Sequence, residues 1–340
     1  MAAALASKRS FTRGLVAVGL GLGFAWVHAQ PAPAASSARD RTVNEWLVRM
    51  QEASKLRSYV GTFVVSSNGG GMSSARIWHA CEGEVQVERV ESLSGAPRSV
   101  FRRNEQVVTF YPEAHVVRTE RRESLGIFTG LLKSTDSSIP DFYTARRVGG
   151  DRVAGFETDV VQVVPRDNQR FGYRIWSERK SGLVVKLQTV DADGNVLEQS
   201  AFSELALDTP VRADKLTQMM TNTSGWRVEQ ADVVKTTAEK EGWQIASPPA
   251  GFKPISCYKR PLGGQPSPEG SMQWVFSDGL AAVSLFVEPF DVRRHTQEGL
   301  FASGATQTVT RRVQDWWVTA VGEVPPNTLR AFVQGLERRK

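Results

Sequence analysis

Arg170-Phe171-Gly172-Tyr173-Arg174-Ile175-Trp176 decides the fold. Phe171, Tyr173 and Ile175 alternate with Arg170, Gly172 and Arg174, the two-residue period of a strand with one apolar face. Pro165-Arg166-Asp167-Asn168 before it has turn composition, and Phe156–Val164 on the other side of that turn is a second strand. Downstream, Leu183, Val185 and Leu187 alternate with Val184, Lys186 and Gln188, and Asp193-Gly194-Asn195 turns the chain into Val196–Leu207. Upstream, Tyr59–Ser66, Ala75–Ala80, Glu84–Val90, Arg98–Arg102, Gln106–Tyr111 and His115–Thr119 are short strands separated by turn residues. Such spacing predicts an antiparallel meander. Residues 123–143 interrupt it with a short helical piece and a Ser-rich loop.

Ahead of the strands, Thr42 and Glu45 have capping-box spacing. Val43, Trp46, Leu47 and Met50 then share one helical face, which needs an apolar sheet to cover. A meander with one helix set on it can curl into a half-open barrel. Its concave face either packs against that helix or leaves room for an apolar ligand, and both readings stand at this point.

After Leu207 the texture changes again. Asp208-Thr209-Pro210, the Met219-Met220 pair, Thr221-Asn222-Thr223-Ser224-Gly225 and a polar, helix-like stretch at 229–241 form a junction. A second domain starts near Gly242-Trp243. Its strands are Gly251–Tyr258, Met272–Ser277, Leu280–Glu288, Thr306–Arg312 and Trp316–Val321, with a Pro/Gly-rich loop at 261–270. Asn327 is a good N-cap for a last helix with Leu329, Phe332, Val333 and Leu336 on its apolar face. The expected architecture is α+β: a large N-terminal curved antiparallel sheet with helices, then a smaller α/β domain. The expected divisions are 1–29, a signal peptide; 30–40, a disordered Ala/Pro/Ser-rich segment; 41–210, the first domain; 211–240, a linker; and 241–338, the second domain.

The signal peptide rests on Lys8, Arg9 and Arg13, then an uncharged apolar run from Gly14 to Val27, then Val27-His28-Ala29. That run is short of the ~20 residues of a spanning helix. Without the leader's three basic residues the formal charge of +6 falls to +3, which removes the main reason to expect nucleic acid. Arg pairs recur at Arg102-Arg103, Arg121-Arg122, Arg146-Arg147, Arg293-Arg294 and Arg311-Arg312. They read either as solvated surface or as contacts for anionic lipid or acidic protein. Cys81 and Cys257 are the two cysteines, either two buried thiols or, in an exported chain, one disulfide.

Nothing assembles a reaction centre. His79, His115 and His295 lie outside any catalytic pattern, no Gly-x-Ser-x-Gly elbow or phosphate loop is present, and His79 with Cys81 lacks a second ligand pair for zinc. The sequence therefore predicts no enzyme, no catalytic or metal-ligating set and no cofactor.

Several stretches, taken in order, resemble one family. They are Tyr59-x-Gly61-Thr62-Phe63, Gln86-Val87-Glu88-Arg89-Val90, Gly95-x-Pro97-Arg98, Arg152-Val153-Ala154-Gly155, Pro165-x-Asp167, Arg170–Trp176 and Gly182-Leu183 in the first domain. In the second they are Ser277-Asp278-Gly279-Leu280-Ala281-x-Val283-Ser284-Leu285-Phe286, Gly304-Ala305 and Val318–Pro325. The set is similar to the periplasmic regulators called RseB in enteric bacteria and MucB in pseudomonads. The resemblance implies a first domain like the carriers LolA and LppX and a small second domain. It also implies a partner, the periplasmic segment of an inner-membrane anti-sigma factor (RseA/MucA-like), shielded from the first protease of an envelope-stress cascade. A lipopolysaccharide-type or envelope-stress signal would release it, and lipopolysaccharide or an acyl chain is a candidate ligand. The alternative is a lipid or lipoprotein carrier of the LolA type, which lacks the second domain. Homo-oligomer formation stays open.

The resemblance carries no contact motif. On physical grounds, Met219, Met220, Trp226 and Trp243 are candidates for gripping a peptide near the junction. Phe63, Trp78, Phe110, Phe171, Tyr173 and Trp176 are candidates for a lipid-contacting face. By type each is a core residue before it is a ligand residue.

Overall fold

Thr42 starts the first helix as its spacing predicts. The backbone N–H of Thr42 donates to Glu45 Oε2 at 2.6 Å and the Glu45 N–H donates to Thr42 Oγ1 at 3.3 Å. Helix α1 spans Val43–Leu56 and buries Val43, Trp46, Leu47 and Met50, the face read from the sequence. Thr42→Ala removes one reciprocal half of this cap and should cost about 1 kcal/mol in urea denaturation. A loss under a few tenths would mean that packing alone positions the helix.

The computed structural model describes residues 41–83, 85–121, 138–230, 233–260 and 270–339. The expected signal peptide, the segment 30–40, most of the interruption at 123–143 and most of the loop 261–270 lie outside the described residues. After α1 come β1 (Tyr59–Ser67), β2 (Met72–Glu82), β3 (Val85–Ser92), β4 (Ser99–Arg103), β5 (Gln106–Tyr111) and β6 (Val116–Arg121). Then follow α2 (Ile139–Phe142), β7 (Tyr143–Val153), β8 (Phe156–Pro165), β9 (Gly172–Glu178), β10 (Val184–Val190), β11 (Val196–Leu207), α3 (Ala213–Thr221) and β12 (Arg227–Gln230).

These strands make one 12-stranded open sheet in the order β12-β6-β5-β4-β3-β2-β1-β11-β10-β9-β8-β7. The chain runs outward from β1 to β6, re-enters at the opposite edge as β7, and returns strand by strand until β11 pairs with β1. Helix α1 lies on one face. Its Trp46, Leu47 and Met50 share a core with Phe63 of β1, Ile77 of β2, Val161 of β8, Ile175 of β9, Leu187 of β10 and Phe202 of β11. Helix α3 covers Ala80 and Val87 through Ala213 and Leu216.

The second sheet is built from β13 (Val234–Lys235), β15 (Lys253–Arg260), β16 (Ser271–Ser277), β17 (Ala282–Pro289), β18 (Gly299–Ser303), β19 (Thr306–Val313) and β20 (Trp316–Gly322). Their order is β13-β15-β16-β17-β20-β19-β18. Helix α4 (Pro326–Gly335) packs Leu329, Phe332 and Val333 onto Phe276, Val283, Leu285 and Val309. A two-stranded ribbon of β14 (Trp243–Ile245) and β21 (Leu336–Arg338) finishes the unit.

Three expectations are corrected. The described part of 229–241 is not a helix: Arg227–Gln230 pairs in parallel with Val116–Thr119 at the sheet edge, and Val234–Lys235 pairs with Tyr258 and Lys259. Edge hydrogen bonds overrule a weak local helix preference. The last helix begins at Pro326 with Pro325 as its cap, because proline's fixed φ and missing N–H suit a helix start. Cys81 and Cys257 are not bonded to each other. Cys81 Sγ donates to the Lys55 carbonyl at 2.6 Å on the first sheet, whereas Cys257 is packed in the core of the second, where burial pushes its thiol up to about 12.

Candidate functional site

Cross-strand register places Ser67, Glu198, Thr189, Tyr173, Val163 and Ala145 in one row across the α1-bearing face of the first sheet. The second unit docks at this end of that face. Leu280 joins the core that holds α1 and Tyr173. The turn between β18 and β19 presses so closely that a Cβ on Gly304, which sits at φ +60, would overlap the Glu198 carboxylate.

The centre of this seam is ionic. Asp278 follows β16 at the Ser277-Asp278-Gly279-Leu280 turn and is 1% exposed. Its Oδ1 accepts from the backbone N–H groups of Leu280 at 3.0 Å and Ala281 at 2.8 Å. Its Oδ2 accepts from the Tyr143 hydroxyl at 2.9 Å and from Arg170 Nε at 2.6 Å. Arg170, whose side chain is 0% exposed, spends its other nitrogens on Asp167 at 2.5 Å and on the Ala250 carbonyl. Its guanidinium lies 4.4 Å from the Phe142 ring centre and 4.9 Å from that of Phe252, one ring from each unit. Gly251 permits the approach: a Cβ there would meet Phe142 at 2.5 Å and Arg170 Nη2 at 2.6 Å.

Every polar atom of the buried pair thus has a partner, the condition under which such a network rigidifies a structure. Burial, then the neighbouring Tyr173 and Asp278, raise the Tyr143 phenol well above its ordinary range, so it stays a neutral donor. Burial, with Glu323 and Asp278, does the same for Tyr173. Further bonds across the seam include Thr328 Oγ1 donating to the Gln169 carbonyl at 2.7 Å, Asn327 Nδ2 to that of Asn168 at 3.2 Å, and Lys253 Nζ to Ser138 Oγ at 3.4 Å.

The residues chosen from the sequence sit elsewhere or deeper. Phe63, Tyr173 and Trp176 belong to the α1-covered core, and Phe171 is buried beside the seam. Phe110, Met220 and Trp226 come together in a smaller cluster on β4–β6, with the Phe110 and Trp226 rings 5.2 Å apart. Trp78 is half-buried beneath α3, between Arg76 and Arg89. Met219 is exposed, and Trp243 lies in the second core against Trp316. The junction candidates therefore do not form one surface. Sequence reasoning missed Tyr143, Arg170 and Asp278 as a group. The available signal was a lone Arg heading an alternating strand and an Asp-Gly turn in the second domain.

Two β-sheet modules, each with its own helix-covered core, joined through a buried arginine–aspartate pair: this defines a two-module β-sheet protein. The MucB/RseB N-terminal domain model matches residues 42–220, and the MucB/RseB C-terminal domain model matches 237–337. The chain belongs to the MucB/RseB family of sigma factor regulatory proteins. The sigma factor AlgU regulatory protein MucB of Pseudomonas aeruginosa is 31% identical, over 88% of this chain and 90% of the relative. The sigma-E factor regulatory protein RseB of Escherichia coli K12 is 26% identical, over 86% and 89%. A solved structure of MucB in complex with MucA(peri) matches with TM-score 0.66 and 26% identity, covering 87% of this chain and 98% of that one. Among the described residues, no helix is long and apolar enough to cross a membrane.

Proposed function

We propose that this chain is a periplasmic negative regulator of an envelope-stress sigma factor. It binds the periplasmic segment of a membrane-bound anti-sigma factor and shields that segment from the first cleavage of the cascade. A lipopolysaccharide-type or other envelope-stress signal releases it. The observation that carries this reading is the match of both modules together to MucB solved with MucA(peri). A protein that acts by covering a flexible segment needs a rigid frame, and the Asp278–Arg170 seam supplies one. The leader read at 1–29 supports export, and the regulatory family supports binding rather than turnover.

The test uses the purified mature chain and the periplasmic segment of an anti-sigma factor of the MucA type. With the regulator in excess, the site-1 protease should cut the segment at least about tenfold more slowly. Equal cleavage rates with and without regulator, under conditions where a control substrate is cut normally, would refute the reading.

A further inference from the structure

Four strands edge the two large sheets: β12 and β7 in the first, β13 and β18 in the second. Three carry the charges that discourage pairing with another chain: Arg227 and Glu229 on β12; Arg146, Arg147, Asp151 and Arg152 on β7; Lys235 on β13. The fourth, Gly299-Leu300-Phe301-Ala302-Ser303, has neither charge nor proline. Among the described residues it hydrogen-bonds on one side alone, to β19. Its apolar residues are open as well: Leu300 is 43% and Phe301 49% exposed, and Phe301 is the single exposed Phe, Tyr or Trp among the described residues.

The direction of its free groups follows from one bond. The Gly299 N–H points toward β19, where it donates to Thr310 Oγ1 at 3.0 Å. Antiparallel alternation then turns the N–H and C=O of Leu300 and Ala302 outward. At one end this edge runs into the turn at Gly304, seated against Ser67 and Glu198 of the first sheet. It is thus continuous with the seam between the modules. Toward its other end stand Arg311 and Arg312, both exposed. Arg312 spends its Nε on the Gln314 carbonyl, and neither arginine has a carboxylate within ion-pair distance of its guanidinium among the described residues. Nearby Arg293 and Arg294 are already engaged by Asp291 and Glu288.

We infer that the free edge of β18 takes an extended, acidic segment of a partner polypeptide as an added strand. Main-chain bonds form to Leu300 and Ala302, an apolar side chain covers Phe301, and acidic residues meet Arg311 and Arg312. This rests on the proposed function, since the segment is that of the anti-sigma factor, and it says where on the chain that segment is held.

The experiment is calorimetric titration of the MucA-homologue segment into the full mature chain and three variants. Ala302→Pro deletes an outward N–H and leaves the bonds to β19 intact. Phe301→Glu places a repelling charge on an exposed position, so it disturbs folding little. Arg311→Glu/Arg312→Glu reverses the flanking charge. Each should weaken binding at least about tenfold with the thermal midpoint kept, and raised salt should weaken the wild type but not the double variant. Wild-type affinity in Ala302→Pro and Phe301→Glu, with the segment still protected from cleavage, overturns the edge assignment and leaves the proposed function standing. A wild type that neither binds nor protects the segment overturns both. If sedimentation shows that the variants abolish a dimer while segment binding is unchanged, the edge joins two copies of this chain and the inference falls.

Discussion

Asp278→Ala lowers the free energy of unfolding by about 3–5 kcal/mol, the range for breaking a buried ion pair from one side. The carboxylate is 1% exposed and is held by four donors, so its loss strands more than a bond. The Arg170 guanidinium, its side chain 0% exposed, loses one of its two carboxylate partners and keeps Asp167 alone, and the Tyr143 hydroxyl is left buried without its acceptor. Arg170 and Tyr143 belong to the first unit and Asp278 to the second, so the damage falls on the seam. Wild type should unfold in urea as one transition. Asp278→Ala should show two, the second unit melting apart from the first, with a larger radius in small-angle scattering before either melts. Tyr143→Phe removes a single hydrogen bond and should cost about 1 kcal/mol with one transition kept. Replacing Arg170 by Met together with Asp278→Leu should recover part of the stability, since no buried charge remains; the Tyr143 hydroxyl and the N–H groups of Leu280 and Ala281 still lose their acceptor, and Asp167 is left to solvent. A single unshifted transition in Asp278→Ala would mean that apolar contacts around Leu280 carry the seam alone.

The parts of the fold governed by local periodicity were legible. Phe171, Tyr173 and Ile175 alternate because one face of β9 is apolar, and the capping pair Thr42–Glu45 marks the start of α1 to the residue. What was hidden depends on distance. Arg170 and Asp278 stand 108 positions apart, and no local pattern connects an arginine at a strand start to an aspartate in a later turn. Strand β18 escaped notice for a different reason. It is exposed on both faces, so it shows no alternation of buried and solvated residues. The polar run after Gly225 misled because its conformation is fixed by the edge of β6 rather than by its own preference. Selecting Met219, Met220, Trp226 and Trp243 assumed that the junction in sequence is the seam in space. The chain instead lays α3 and β12 along the first sheet and seals the modules with residues from β7, the turn before β9 and the turn after β16.

Trp46 offers the second large effect. Its side chain is 0% exposed and anchors α1 to the first sheet. Trp46→Ala should cost about 3–5 kcal/mol, the usual loss when a large core ring is truncated. Its indole Nε1–H, however, meets no acceptor among the described residues. A buried donor without a partner carries a desolvation cost of about 1–3 kcal/mol. Trp46→Phe removes that donor while keeping most of the ring, so its packing loss is largely offset, and its net cost should stay below about 1 kcal/mol. Truncation also frees the helix from Phe63, Ile175 and Leu187, which line the same core. In Trp46→Ala, amide exchange should quicken through α1 and its facing strands, and an apolar dye should bind where α1 had covered the sheet. In Trp46→Phe neither should change. Equal destabilisation by the two substitutions would show that the full bicyclic ring, which phenylalanine lacks, is needed to hold the helix in place.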